Sequence, residues 1–180
     1  MTQAVDFLRT IDVGILRLEP LTATHADEMF MVLSDPAIYE FENEPPQSLE
    51  WLRNRYAMLE SRQSADGQQQ WLNWVIRLPS SELAGYVQAT VFADRRALIA
   101  YELASEHWGC GLAFAATRAM MAELTAHYGV SRFAAVLKAK NWRSRRLLVR
   151  LGFVLASSAA RITQPIDPDE LLMLHPSDGV

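Results

Sequence analysis

The chain has 180 residues, half of them apolar, enough to bury roughly 70% of its unfolded surface, so a single domain over 1–180 is expected. Its lone cysteine, Cys110, excludes an intramolecular disulfide, no Cys/His spacing suits a metal site, and a net charge of -4 argues against a nucleic-acid partner. No apolar run of roughly 18 residues exists, and Asp6, Arg9 and Asp12 interrupt the place of a signal peptide, so no membrane association and a cytoplasmic location are expected.

Residues 15–19 (ILRLE) alternate and stop at Pro20, which predicts a first strand. Thr24 then caps a predicted helix with Ala26, Met29, Phe30 and Leu33 on one face, ended by Asp35-Pro36. Ser48, just after Pro45-Pro46, opens a second helix to about Arg62, with Leu49, Leu52, Tyr56 and Leu59 at helical spacing. Beyond Asp66-Gly67 the period becomes two. Strands over 71–78, 83–92 and 97–103, broken by turns at Pro79-Ser80-Ser81 and Asp94-Arg95-Arg96, predict an antiparallel meander.

Gly109 and Gly111 precede an apolar helix over 112–128, closed by Gly129 and followed by a strand over 132–137, an order that implies a parallel crossover. A short basic helix over 141–151 ends at Gly152. Segments 153–157 and 171–174 then predict two closing strands, joined by a loop holding Pro165 and Pro168. The sum is a mixed α/β sheet flanked by helices, antiparallel at its N-terminal strands and parallel at its centre.

The richest stretch is Trp108-Gly109-Cys110-Gly111-Leu112-Ala113, between a strand and a long helix. Its glycines let the backbone bend close to a ligand, and the helix start offers unpaired N–H groups and a positive dipole end, which suit a pyrophosphate. A dinucleotide fingerprint would need Gly or Ala at position 114, which is Phe, and the Gly-Lys-Ser/Thr ending of a P-loop is missing. What remains resembles the coenzyme A loop of the GCN5-related N-acetyltransferases (GNAT), Gln/Arg-x-x-Gly-x-Gly/Ala, with Gly111 and Ala113 in the last two defined positions. Asn141-Trp142-Arg143-Ser144, followed by Leu148 and Leu151-Gly152-Phe153, is similar to a signature of the RimJ/RimL-type branch that acetylates ribosomal-protein N-termini. Leu16-Arg17-Leu18-Glu19-Pro20-Leu21 and Ser34-Asp35-Pro36 extend the likeness over about 14–157.

This resemblance implies a GNAT-like sheet splayed at its parallel centre and acetyl-coenzyme A as acyl donor. It places the donor against Trp108, Gly109, Cys110, Gly111, Leu112, Ala113 and Phe114, with backbone hydrogen bonds to the pantetheine arm from Leu103 and Ala104 and a further bond from Asn141. Arg146 and Arg150, in the densest basic cluster of the chain, are candidates for the nucleotide phosphates; a solvated helix face is the other reading. Four positions depart from the family pattern: Trp108 replaces Gln or Arg, Cys110 replaces Lys or Arg, and Phe114-Ala115 replaces Thr-Glu. The pyrophosphate therefore depends on backbone N–H groups more than on side chains.

Two residues carry the expected chemistry, each with an alternative. Ser144 either protonates the departing thiolate or caps its helix. Glu102 is a general base if it faces the cleft and an ordinary strand residue if it faces solvent. Need for a base depends on the acceptor, because at pH 7 an α-amine of pKa ~7.8 is neutral about one time in seven and a lysine-like amine about once in ~2,500. Glu40, Glu42 and Glu44 share one side of an extended segment; they either draw a cationic amine toward the acceptor cleft or form a solvated loop, and the solvated loop is the preferred reading. Trp51, Tyr56, Trp71 and Trp74 are read as core or interface aromatics rather than acceptor contacts. None of the four histidines has a Ser or Cys partner at triad spacing, which leaves hydrolase chemistry without support. The expected function is acetyl transfer to the amine of a protein N-terminus or small molecule, without an acyl-enzyme, with homodimerisation open. The alternative is a non-catalytic acyl-coenzyme A binding module.

Overall fold

The computed structural model describes residues 8–159 and 164–175. Among them, one sheet runs in the order β1-β2-β3-β4-β5-β6-β8-β7. Strands β1 (Ile11–Asp12), β2 (Arg17–Pro20), β3 (Gln69–Arg77), β4 (Leu83–Phe92) and β5 (Arg96–Leu103) pair antiparallel in chain order, β1–β2, β3–β4 and β4–β5 through short turns and β2–β3 across the two α-helices between them. After helix α3 (Leu112–Tyr128), strand β6 (Arg132–Lys138) returns parallel to β5. Strand β8 (Glu170–His175) then inserts antiparallel between β6 and β7 (Val154–Leu155). The parallel centre is thus one strand pair, β5 with β6, among the described residues.

The short helices differ most from expectation. The segment before α1 (Ala26–Val32) is a 3₁₀ turn, Ala23–His25, in which the Thr22 N–H donates to His25 Nδ1, so entry is organised by Thr22 rather than by Thr24. Helix α2 (Leu49–Leu59) begins as expected, with Ser48 Oγ accepting the Trp51 N–H at 3.0 Å. Helix α4 (Trp142–Arg150) follows β6. The expected strand over 153–157 shrinks to β7, Val154 and Leu155 pairing with Leu174 and Met173 of β8, with one further bond from the Ala156 N–H to the Leu172 carbonyl.

Both faces of the sheet are covered. Leu72, Trp74, Val87 and Ile99 pack on one face under Ala116, Met120 and Leu124 of α3 and Leu148 of α4. Val75 and Leu83 pack on the other under Met29 of α1 and Leu52 and Tyr56 of α2. Trp74, fully buried, donates its indole N–H to the Arg9 carbonyl at 2.9 Å, as a buried Trp requires. Of the two expected places for Trp51, core or interface, the core is excluded: it is 43% exposed, at the edge of the cleft described below.

A bulge at Ala84 shifts the β3–β4 register, from Ile76↔Gly85 to Arg77↔Leu83. Beside it, Gly85 crosses β5 so closely that a Cβ would lie 2.0 Å from the Glu102 carbonyl oxygen and 2.7 Å from the Leu103 Cα. Only backbone can yield there. Gly85→Ala is therefore expected to cost about 1–3 kcal/mol, seen as a fall of roughly 2–12 °C in Tm; an unchanged Tm would contradict this close approach.

Candidate active site

Strands β5 and β6 pair only at Arg96↔Arg132, Ala97↔Phe133 and Leu98↔Ala134. Beyond Leu98 they part, β5 staying on β4 as far as Leu103↔Gly85 and β6 on β8 as far as Lys138↔Glu170. The Ala104 N–H donates to the Ala84 carbonyl at 3.0 Å, so the antiparallel alternation turns the peptide groups of Leu103 and Tyr101 away from β4 and into the gap. Peptide groups facing a gap need a partner from outside the sheet. The gap forms part of a cleft of about 1090 Å³, bounded by β5, β6, the start of α3, α4 and the segment around 39–46.

At the mouth of this cleft the chain turns from β5 into α3. Gly109 and Gly111 adopt φ of +75° and +80°, a region costly to side chains, while a Cβ at either would meet nothing within 4 Å. Conformation, not crowding by the protein, calls for glycine at both. The Gly111 carbonyl accepts the Ala115 N–H, and no side chain caps this end, so Leu112, Ala113 and Phe114 present the orphan N–H groups of the first turn. Cys110 is exposed, with its Sγ 3.5 Å from the Trp108 carbonyl.

One expected donor contact is corrected. The Ala104 N–H is committed to β4 and is not free for a pantetheine arm. At Leu103 the carbonyl accepts the Trp108 indole N–H at 2.9 Å, which leaves the Leu103 N–H as the group facing the gap. Trp108 thus lines the wall of the cleft, with the Arg143 guanidinium 4.6 Å from its ring.

Helix α4 contributes the opposite wall. Asn141 is its N-cap, Oδ1 accepting the Ser144 N–H at 3.0 Å, and its Nδ2 donates to Glu42 Oε1 at 2.6 Å. The cap reading of Ser144 is therefore overturned: Asn141 caps the helix, and Ser144 Oγ lies 2.8 Å from the Tyr101 hydroxyl. Arg143 pairs with Glu40 at 2.5 Å. Arg146 and Arg150 line the cleft with no carboxylate in ion-pair range among the described residues, and Arg150 lies 4.8 Å over the Phe114 ring. These two guanidinium groups are available to an anion.

Glu102 follows Tyr101 in β5 and so points to the opposite face. Asn43 Nδ2 donates to its Oε1 at 2.7 Å, and the Tyr86 hydroxyl also bonds the carboxylate. Burial raises its pKa above the ordinary carboxylate value, against the lowering effect of those two hydrogen bonds. The Tyr86 hydroxyl is itself pushed well above the usual tyrosine range by burial and then by the Glu102 charge. Of the loop carboxylates, Glu40 and Glu42 tie to α4 rather than standing free in solvent.

Comparison with known proteins names this architecture. The acetyltransferase (GNAT) domain matches residues 16–154. The chain belongs to the GNAT family. It is 28% identical over 149 residues to the uncharacterized N-acetyltransferase YoaA of Bacillus subtilis (strain 168), covering 79% of this chain and 81% of that protein. Two solved structures share the fold. A ribosomal-protein-S5-alanine acetyltransferase from Vibrio fischeri has a TM-score of 0.75 at 17% identity, over 94% of this chain and 97% of its own. RimL, a ribosomal alpha-N-protein acetyltransferase in complex with coenzyme A, has a TM-score of 0.76 at 19% identity, over 92% and 96%. As a GNAT protein the chain is an acyl-coenzyme A-dependent N-acyltransferase. Among the described residues no group of three or more His, Cys, Asp or Glu side chains is arranged to hold a metal ion. No described helix is long and apolar enough to cross a membrane.

Tyr101, Tyr86, Asn43 and Gly85 enter the site without having been singled out in the sequence. Tyr101 had a signal in its place beside Glu102 on one strand, which puts the two on opposite faces. The Asn43–Glu102 contact spans 59 residues and has no local signature.

The raised pKa of Glu102 has a definite sign. Stability from its retained proton is full below the ordinary carboxylate pKa and is lost as pH rises through the raised value. Glu102→Gln removes that loss, so its Tm should exceed that of the parent at pH 8 by more than at pH 4; a constant difference across this range would contradict a raised pKa.

Proposed function

We propose that this protein transfers an acetyl group from acetyl-coenzyme A to a primary amine by direct attack, without an acyl-enzyme. The observation that carries the reading is the parting of β5 and β6, which opens one cleft to both Glu102 and the Tyr101–Ser144 pair. Those two groups lie on opposite faces of the sheet, so the reacting carbon has to sit in the gap between the strands.

The donor fits the residues present. The N–H groups of Leu112, Ala113 and Phe114 and the dipole of the 17-residue α3 suit the pyrophosphate, and Arg146 and Arg150 suit the nucleotide phosphates. The Leu103 N–H, facing the gap, suits a pantetheine amide. Asn141 can join it through the second hydrogen of its Nδ2, the first being held by Glu42.

In the transfer step the amine lone pair attacks the thioester carbonyl and the C–S bond breaks. Glu102 takes a proton from the attacking nitrogen; its raised pKa brings it closer to the operating pH, where a general base is most effective. Ser144 gives its proton to the leaving thiolate as its Oγ takes one from the Tyr101 hydroxyl. Burial raises the Tyr101 pKa, so its phenolate is short-lived and recovers a proton from solvent through the open cleft, where Glu102 releases the one it took. The net result is amide and free thiol. A binding module would need neither group, so their presence in the cleft favours transfer.

Two predictions test this reading. Coenzyme A at 100 times its Kd should stabilise the protein by ~2.7 kcal/mol, more than NAD or ATP at equal concentration. The double variant Arg146→Gln, Arg150→Gln should keep its fold and lose coenzyme A affinity at least tenfold, about 1.4 kcal/mol. Equal shifts with all three ligands, or normal binding by the double variant, would remove the donor site from this cleft.

For the chemistry, Ser144→Ala and Tyr101→Phe should each lower kcat by about 10²-fold, the lower end of acid–base contributions, with little change in acetyl-coenzyme A affinity. Because Asn141 is the cap, Ser144→Ala should leave Tm nearly unchanged, whereas Asn141→Ala should cost about 0.5–2 kcal/mol. Undiminished kcat in both hydroxyl variants would exclude proton transfer through this pair.

A further inference from the structure

On the Glu102 face of the sheet, the cleft reaches two buried polar groups that have no partner. The Asn73 side-chain nitrogen and the Tyr56 hydroxyl belong to residues only 4% exposed, and neither finds a hydrogen bond among the described residues. Both residues line the cleft. Buried polar atoms in native proteins are almost always bonded, so two orphans at one cavity call for an outside partner.

Their placement follows from strand register. Asn73 is the cross-strand partner of Gln88, Gln88 of Ala100, and Tyr86 of Glu102. Cross-strand partners share a face, as do residues two apart on one strand, so Asn73, Gln88, Tyr86, Ala100 and Glu102 form one patch across three strands. Around it the same face is apolar, with Val75 and Leu83 packed under Met29 and Leu52. Ala100 is small and exposed, which leaves the floor open between Glu102 and the deeper residues. Tyr56 descends onto the patch from α2, close enough to Glu102 that its pKa is raised by burial first and by that charge second. If packing alone governed these positions, Leu and Phe would fill the space of Asn and Tyr without unpaired atoms.

We propose that Asn73 and Tyr56 form the far end of an acceptor subsite beginning at Glu102, and that the preferred acceptor is a primary amine bearing a carbonyl or hydroxyl oxygen several bonds from its nitrogen. The inference rests on the transfer reading above and deepens it. Asn73 stands two strand spacings from Glu102 and, being in register with Ala100, two residues along the strand from it, roughly 12 Å between backbones; with both side chains reaching inward, about 5–7 Å separates the amine from the oxygen it carries. The Asn73 amide donates to that oxygen and the Tyr56 hydroxyl donates alongside it. A peptide N-terminus offers such an oxygen in its second carbonyl, and an amino alcohol offers it in its hydroxyl.

The test compares kcat/KM of the parent, Asn73→Leu and Tyr56→Phe with three acceptors: a short alanyl peptide amide, 5-aminopentanol and n-hexylamine. The parent should favour at least one oxygen-bearing acceptor over hexylamine by tenfold or more. Each substitution should collapse that ratio through KM, with unchanged acetyl-coenzyme A affinity and a Tm equal to or above the parent's, since an unpaired buried group is removed. The better oxygen-bearing acceptor identifies the source, peptide or small molecule. A ratio unchanged in both variants, a lower Tm in both, or a parent that prefers hexylamine would overturn this inference and leave the transfer reading intact. A parent that acetylates no amine while binding acetyl-coenzyme A would overturn both.

Discussion

The site depends on the separation of β5 from β6 after three residue pairs. Each strand is held on its far side, β5 by β4 along 97–103 and β6 by β8 along 133–138, so the two diverge without either losing its place in the sheet. Divergence exposes peptide groups that a closed sheet would pair, and gives a ligand backbone partners in the middle of the protein. It also joins the two faces of the sheet. Tyr101 and Glu102, neighbours in sequence, point to opposite sides, and the reaction we propose can draw on both only across this gap.

The surroundings of the gap are consistent with this division. On the side of α3 and α4, polar groups suit a phosphorylated donor: free N–H groups at the start of α3 and the guanidinium groups of Arg146 and Arg150. On the side of α1 and α2 they suit an amine, with the Glu102 carboxylate ringed by the phenols of Tyr39, Tyr56 and Tyr86. The segment around 40–43 ties the two together, Glu40 to Arg143, Glu42 to Asn141 and Asn43 to Glu102. Exposed ion pairs such as Glu40–Arg143 contribute little stability, about 0–1 kcal/mol, so their effect is on position more than on folding.

Gly85 shows how tightly the backbone is set at this point. Its missing side chain lets β4 approach the Glu102 carbonyl where the β3–β4 ladder bulges, just before β5 ends and the chain turns toward α3. At Gly109 and Gly111 glycine serves a different need, a left-handed backbone in open space that a ligand can approach.

Periodicity and turn chemistry were enough to read the meander, the long helix after Gly111, the crossover and the mixed α/β class from the sequence, because those signals are local. Two short motifs, Gly111 with Ala113 and Asn141 with Ser144, were enough to reach the family. Tertiary structure decided what local pattern cannot carry. It gave the cap to Asn141 and joined Ser144 to Tyr101, across 43 residues of chain. It committed the Ala104 N–H to β4, set Asn43 and Tyr86 on Glu102, and left Asn73 and Tyr56 buried and unpaired beside the cleft. Each of these depends on strand register or on a contact between distant segments, and residue identity at one position says nothing of which side chain the fold brings opposite it.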